Sequence, residues 1–150
     1  MSFGFQTPLR VEEVGQAHGR TVYRLLDRLD YMSGSGVLYS CPVNMLTDWE
    51  SLPRLPVISW LLGGRPVHRA ATLHDYLYRK DSTPHVEREE ADALFLEAML
   101  STGLSRVFAM PFYWGVRIGG AASYGVLSVT AELFHLVTAR GNLALRCGRL

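Results

Sequence analysis

Three side chains in the middle of the chain, His74, Asp75 and Asp92, have the types and spacing of a base, its orienting acid and a second carboxylate. A histidine held by a carboxylate is an oriented base, and the second carboxylate points elsewhere. On a helix, residues three and four apart share a face. His74 therefore falls in line with Val67, Ala70, Ala71, Leu77 and Tyr78, an apolar stripe. Asp75, turned about 100° away, shares its face with His68, Ala71, Thr72 and Arg79. In a second helix Asp92 lines up with Phe95, Leu96 and Met99, again a carboxylate in an apolar stripe. If the two stripes face each other, His74 and Asp92 meet below the surface, because a buried polar group is costly until it finds a partner. The alternative is a buried pair that fixes helix packing and does no chemistry.

The elements that must position these groups follow from local signals. A helix over 66–79 starts at Pro66 after the pair Gly63 and Gly64, and a second over 84–102 opens with Ser82, Thr83 and Pro84, a cap followed by proline at the first helical position. Glu87, Glu89 and Glu90 suit the dipole of its first turns and read as a solvated face. Upstream, residues 46–54 form a loop of turn-fixing groups, in which Asp48 is either a turn residue or a carboxylate supplied to the site around His74. Residues 57–62 read as a short apolar helix. After Gly103 an apolar helix starts at Leu104, with interruptions at Pro111 and at Gly119 and Gly120, and a last helix covers 127–140 with His135 as a core histidine.

The N-terminal third is expected to support the helices. Residues 1–8 lack periodicity and read as an arm, 9–14 as a short strand and 15–19 as a turn. Residues 21–31 fit a helix through Val22, Leu25, Leu26 and Leu29, but 33–36 (Ser-Gly-Ser-Gly) is a turn and 37–43 a strand, which favours a hairpin. Pro42 puts that strand at an edge or at its end. The expected class is therefore α+β, mainly α, as a single domain over 1–150: an arm (1–8), a short antiparallel sheet (9–45) and a helical body (57–150).

Composition narrows the function classes. At 150 residues, 48% hydrophobic and 19% charged, the chain can bury a core and is not disordered. A net charge of +1 with scattered arginines argues against nucleic acid. Cys41 and Cys147 make neither a disulfide framework nor a zinc motif and read as reduced thiols. The first nine residues carry neither a basic start nor an apolar run, so no signal peptide is expected. Between Val107 and Thr138 the only charges, histidine counted neutral, are Arg117 and Glu132, yet the uncharged run 118–131 has 14 residues, short of a membrane span. A core segment, or a surface packed against a partner, fits that length better.

The pattern His74-Asp75-x-x-Tyr78-Arg79, followed by Ala91-Asp92-Ala93-Leu94-Phe95 and Met99, resembles the antiparallel helix pair of prokaryotic phospholipases A2. With Thr47-Asp48-x-x-Ser51-x-Pro53-Arg54 upstream, the order from about residue 25 to 120 is similar to an uncharacterised family of small proteins encoded by tailed bacteriophages and prophages. The resemblance implies a phospholipase A2-like hydrolase. In it His74 is the general base, Asp92 fixes its tautomer, and Tyr78 bonds Asp92 or closes the pocket. It also implies Asp75 as a ligand of calcium, with Asp48 in place of ligands that the enzymes draw from a glycine-rich loop. A non-catalytic accessory protein of the virion or tail, retaining the scaffold, is the second function class. The implied partners are a membrane lipid surface or other virion subunits, copies of this chain among them. The implied location is the virion, or the host cytoplasm before assembly.

Overall fold

In a computed structural model the residues described are 2–17, 19–49, 67–122 and 124. Two three-stranded antiparallel sheets fill the N-terminal part. One has the order β1 (Gly4–Phe5), β4 (Leu29–Met32), β5 (Leu38–Cys41); the other has the order β2 (Val11–Ala17), β3 (Arg20–Leu25), β6 (Leu46–Thr47). The expected hairpin is present as β4 and β5, paired Leu29 to Cys41 and Tyr31 to Tyr39. Its turn closes through Ser33, whose backbone N–H donates to the Val37 carbonyl (2.9 Å) and whose hydroxyl accepts from the Val37 N–H (3.0 Å). Gly36, at φ +83°, supplies the left-handed residue that a side chain would resist. β5 stops at Cys41, one residue before Pro42, as a strand must where the donor is lost.

The mainly α class with one short sheet is corrected by these six strands. The physical reason lies in residues 20–32. Their leucine spacing also fits a helix, but Val22 and Leu25 are buried from β3, Leu29 and Tyr31 from β4, and Leu26 is exposed in the bend between them. The arm is corrected too: β1 lies within residues 1–8 and pairs with β4, Gly4 opposite Met32. Residues 15–17, expected in a turn, continue β2 past an irregularity between Glu13 and Gly15. Across β2 and β3 the paired Glu12 and Arg24 form an ion pair. β6 reaches past the expected end of the sheet at residue 45 and adds a third strand to β3, Tyr23 opposite Thr47.

Among the described residues three helices follow: α1 (Val67–Leu77), α2 (Arg88–Ser101) and α3 (Arg106–Gly119), the last running into a single 3-10 turn at Gly120–Ala122. α1 packs on β4, β5 and α2, α2 on β1 and α3. The core between them is built from Tyr31, Tyr39, Leu73, Leu77, Phe95 and Met99. A hydrogen bond from the Tyr31 hydroxyl to Glu97 Oε1 (2.8 Å) ties the first sheet to α2, and Glu97 also accepts from the Gly34 N–H (3.1 Å).

The helices differ from expectation in their limits and at one proline: α1 ends at Leu77, two residues early, and α3 starts at Arg106, two residues late. α2 begins at Arg88, because the Thr83 N–H is taken by the Tyr76 hydroxyl (2.8 Å) and the first extended cap residue is Glu87. α3 passes through Pro111, which lies on the exposed side with Val107 and Trp114, where the missing backbone bond faces away from the core. The expected short helix over 57–62, residues Ser51, Pro53 and Arg54, the helix over 127–140, His135 and Cys147 lie outside the described residues. Cys41 is free and buried, and burial pushes its thiol far up. Among the described residues no helix is long and apolar enough to cross a membrane.

Candidate functional site

α1 and α2 face each other through the stripes that carry the histidine and the aspartate. His74 Nε2 lies 2.9 Å from Asp92 Oδ1, within hydrogen-bond range, and the residues are 2% and 0% exposed. The imidazole is sandwiched by apolar rings, with centroids 4.1 Å from Tyr78 and 4.7 Å from Phe95. The expected Tyr78 contact is present as well: its hydroxyl donates to the same Asp92 oxygen at 2.5 Å.

A buried carboxylate needs more than two neutral donors, and the rest come from a side chain the sequence reading left out. Arg117, near the end of α3, places Nη1 3.2 Å from Asp92 Oδ2 and Nη2 3.0 Å from Glu89 Oε1. Arg88 stands further off, 3.9 Å from Asp92 Oδ2, and donates to the Arg117 backbone carbonyl at 3.1 Å. The signal was legible: Arg117 is the lone basic residue of a long apolar stretch, and an isolated charge there calls for a partner.

The electrostatics follow from this pairing. Burial works to raise the Asp92 carboxyl, but hydrogen bonds from His74, Tyr78 and Arg117 hold it below the ordinary carboxylate value. Burial drives the His74 imidazole below the ordinary histidine value, with Asp92 offsetting only part of the effect. Burial and the neighbouring Asp92 push the Tyr78 phenol far up. The resident state is therefore an ionised Asp92 balanced by Arg117, a neutral tyrosine, and a neutral imidazole whose Nε2–H points at the carboxylate. In that tautomer Nδ1 is the acceptor nitrogen.

Asp75 lies on the other face of α1, as its one-residue offset requires. Its Oδ2 accepts from the Thr47 hydroxyl at 2.5 Å, and one turn earlier Thr72 Oγ1 accepts from the indole of Trp49 at 2.9 Å. Thr47 and Trp49 flank Asp48, so the end of β6 is pinned to α1 by the neighbours of the expected residue. Trp49 sits at φ +52°, an uncommon conformation for a bulky residue, with its ring between those of Tyr23 and His68, both 4.2 Å away. Calcium prefers six to eight oxygen ligands. Among the described residues no group of three His, Cys, Asp or Glu side chains gathers to hold a metal, and Thr47 occupies one Asp75 oxygen.

Fold and site together define a sheet-rich N-terminal part joined to three helices around a buried His–Asp–Tyr–Arg network. The chain belongs to the family described as "Protein of unknown function (DUF1353)", whose model matches residues 23–116, from β3 to α3. This is an uncharacterised family, as expected, over nearly the span on which the sequence resemblance rests. No curated protein and no solved structure matches the chain.

Proposed function

We propose that the chain is a phage-encoded hydrolase of the phospholipase A2 type, in which His74 activates water against a lipid ester. The observation that carries this reading is the 2.9 Å contact between His74 Nε2 and an Asp92 whose charge is already balanced by Arg117. With the carboxylate compensated, the imidazole is neutral and can accept a proton. His74 takes a proton from water as the water oxygen bonds to the ester carbon. The tetrahedral adduct then expels the alcohol, which recovers the proton from the imidazolium, and the carboxylic acid is released. Asp92 holds the tautomer and stabilises the transient imidazolium, with Tyr78 and Arg117 holding Asp92.

A second reading, an accessory virion or tail protein without turnover, draws on the burial of the pair, because a base must reach its water. His74→Gln separates the two. A glutamine amide nitrogen can occupy the Nε2 position and keep the bond to Asp92, but it offers no basic nitrogen. Release of fatty acid from mixed phosphatidylcholine and phosphatidylglycerol vesicles is measured with and without calcium, alongside thermal melting. The hydrolase reading expects turnover by the wild type and a loss of about 10²–10⁴ in His74→Gln with little change in melting. No turnover by the wild type in either condition decides for the second reading. An Asp75→Asn variant reports in the same assay on any calcium dependence, since asparagine keeps an acceptor for Thr47 but lacks the charge that a cation ligand supplies.

A further inference from the structure

We infer that the end of α3 is part of the positioning machinery of this site, with Arg117 seating the Asp92 carboxylate and Gly120 seating the Tyr78 hydroxyl. The activity arm of this inference rests on the hydrolase reading; its stability arm does not.

Asp92 is approached from two sides. From α1, His74 and Tyr78 share Oδ1; from α3, Arg117 takes Oδ2. α3 is anchored for this purpose by Ala109, Phe112 and Val116, buried at helical spacing, and by the Arg88 bond to the Arg117 carbonyl. Arg117 is thus the residue after the last buried contact, and its guanidinium turns back over α2.

Gly120 is a separate observation. Its backbone is ordinary right-handed helix (φ −76°, ψ −6°), so conformation alone does not call for glycine. Space does. A Cβ built there would stand 2.4 Å from the Tyr78 hydroxyl oxygen and 3.2 Å from two of its ring carbons. Ordinary contact begins near 3.4 Å, so the hydroxyl would have to retreat by about 1 Å. The Tyr78 ring is also in contact with two others, tilted against His74 with centroids 4.1 Å apart and edge-on to Tyr124 with centroids 5.4 Å apart. Yielding to a side chain at 120 therefore means leaving Asp92. Gly119 provides an internal control, because a Cβ there meets no atom of the described residues within 4 Å.

The test compares neighbouring alanines in the full chain. Gly119→Ala should melt at or slightly above the wild type, since alanine favours helix. Gly120→Ala should melt roughly 5 °C lower, the expected scale for overpacking a core contact. In a Tyr78→Phe background, which removes the clashing oxygen, Gly120→Ala should cost less than about 2 °C. In vesicle hydrolysis Gly120→Ala should lose about a hundredfold in kcat, because a positioning group displaced by roughly 1 Å no longer seats Asp92 behind His74, with KM nearly unchanged. Arg117→Met should show the same split between kcat and KM, and Arg117→Lys should recover part of kcat. Equal melting of the two alanine variants, or no relief by Tyr78→Phe, overturns the inference whether or not the protein hydrolyses anything. A Gly120→Ala loss relieved by Tyr78→Phe in a wild type that shows no turnover supports the positioning contact and refutes the hydrolase reading instead.

Discussion

Asp92 is the residue on which the site depends most, and its removal has a cost that can be worked out. Its side chain is fully buried and accepts from His74 and Tyr78 on one oxygen and Arg117 on the other. Asp92→Ala leaves two buried donors, the His74 Nε2–H and the Tyr78 hydroxyl, without an acceptor, at about 1–3 kcal/mol each. Arg117 is 22% exposed and keeps Glu89, so its loss is small. The sum is about 2–6 kcal/mol, consistent with the roughly 3–5 kcal/mol for breaking one side of a buried charged pair. At about 2–4 °C per kcal/mol for a chain of this size, 4 kcal/mol lowers Tm by roughly 8–16 °C. Asp92→Asn should cost less, about 1–2 kcal/mol, because its carbonyl can still accept from His74 and Tyr78 while its amide merely faces Arg117. Urea titrations followed by circular dichroism measure both values against the wild type. An alanine variant within about 1 kcal/mol of wild type, or alanine and asparagine variants of equal stability, would refute the network as drawn.

The pH dependence follows from the same groups. His74 and Asp92 both have folded-state values below their ordinary ones, 6.5 and 3.8, so each favours folding above that value and withdraws its contribution as pH falls through the folded one. Stability should therefore be level above about pH 6.5 and decline in acid, first as His74 is forced to charge and further as Asp92 is protonated. His68, lowered by burial, acts in the same direction, so the slope specific to His74 is the difference between wild type and His74→Gln in melts from pH 4 to 8; equal slopes would remove His74 from the account. On the other face of α1, Thr47→Val keeps the shape of the side chain and removes the donor to Asp75. Its expected cost is about 1.5–3 kcal/mol, that of a hydrogen bond to a charged group, and a neutral result in denaturant titration would show that β6 is held to α1 by Trp49 instead.

Sequence alone determined what is local. The placement of His74 and Tyr78 on one face, of Asp75 and Thr72 on another, and of Asp92 in line with Phe95 and Met99 follows from helical periodicity, and the contacts of all these residues respect it. The Ser-Gly-Ser-Gly turn and its hairpin were equally legible, because four residues carry their own turn chemistry. Tertiary structure decided the rest. The leucines of residues 20–32 fit two periods at once, and only pairing with β1, β2, β5 and β6 selects strands; those partners lie up to 28 residues away, as Gly4 does from Met32, beyond any local signal. The third side of the site is more remote still. Arg117 reaches Asp92 across 25 residues, and the glycine that makes room for Tyr78 is distinguishable from its neighbour Gly119 only once α3 is docked. A lone arginine in an apolar run announces that it needs a carboxylate, but which carboxylate it finds depends on how the helices pack, and packing is not written in the spacing of any one of them.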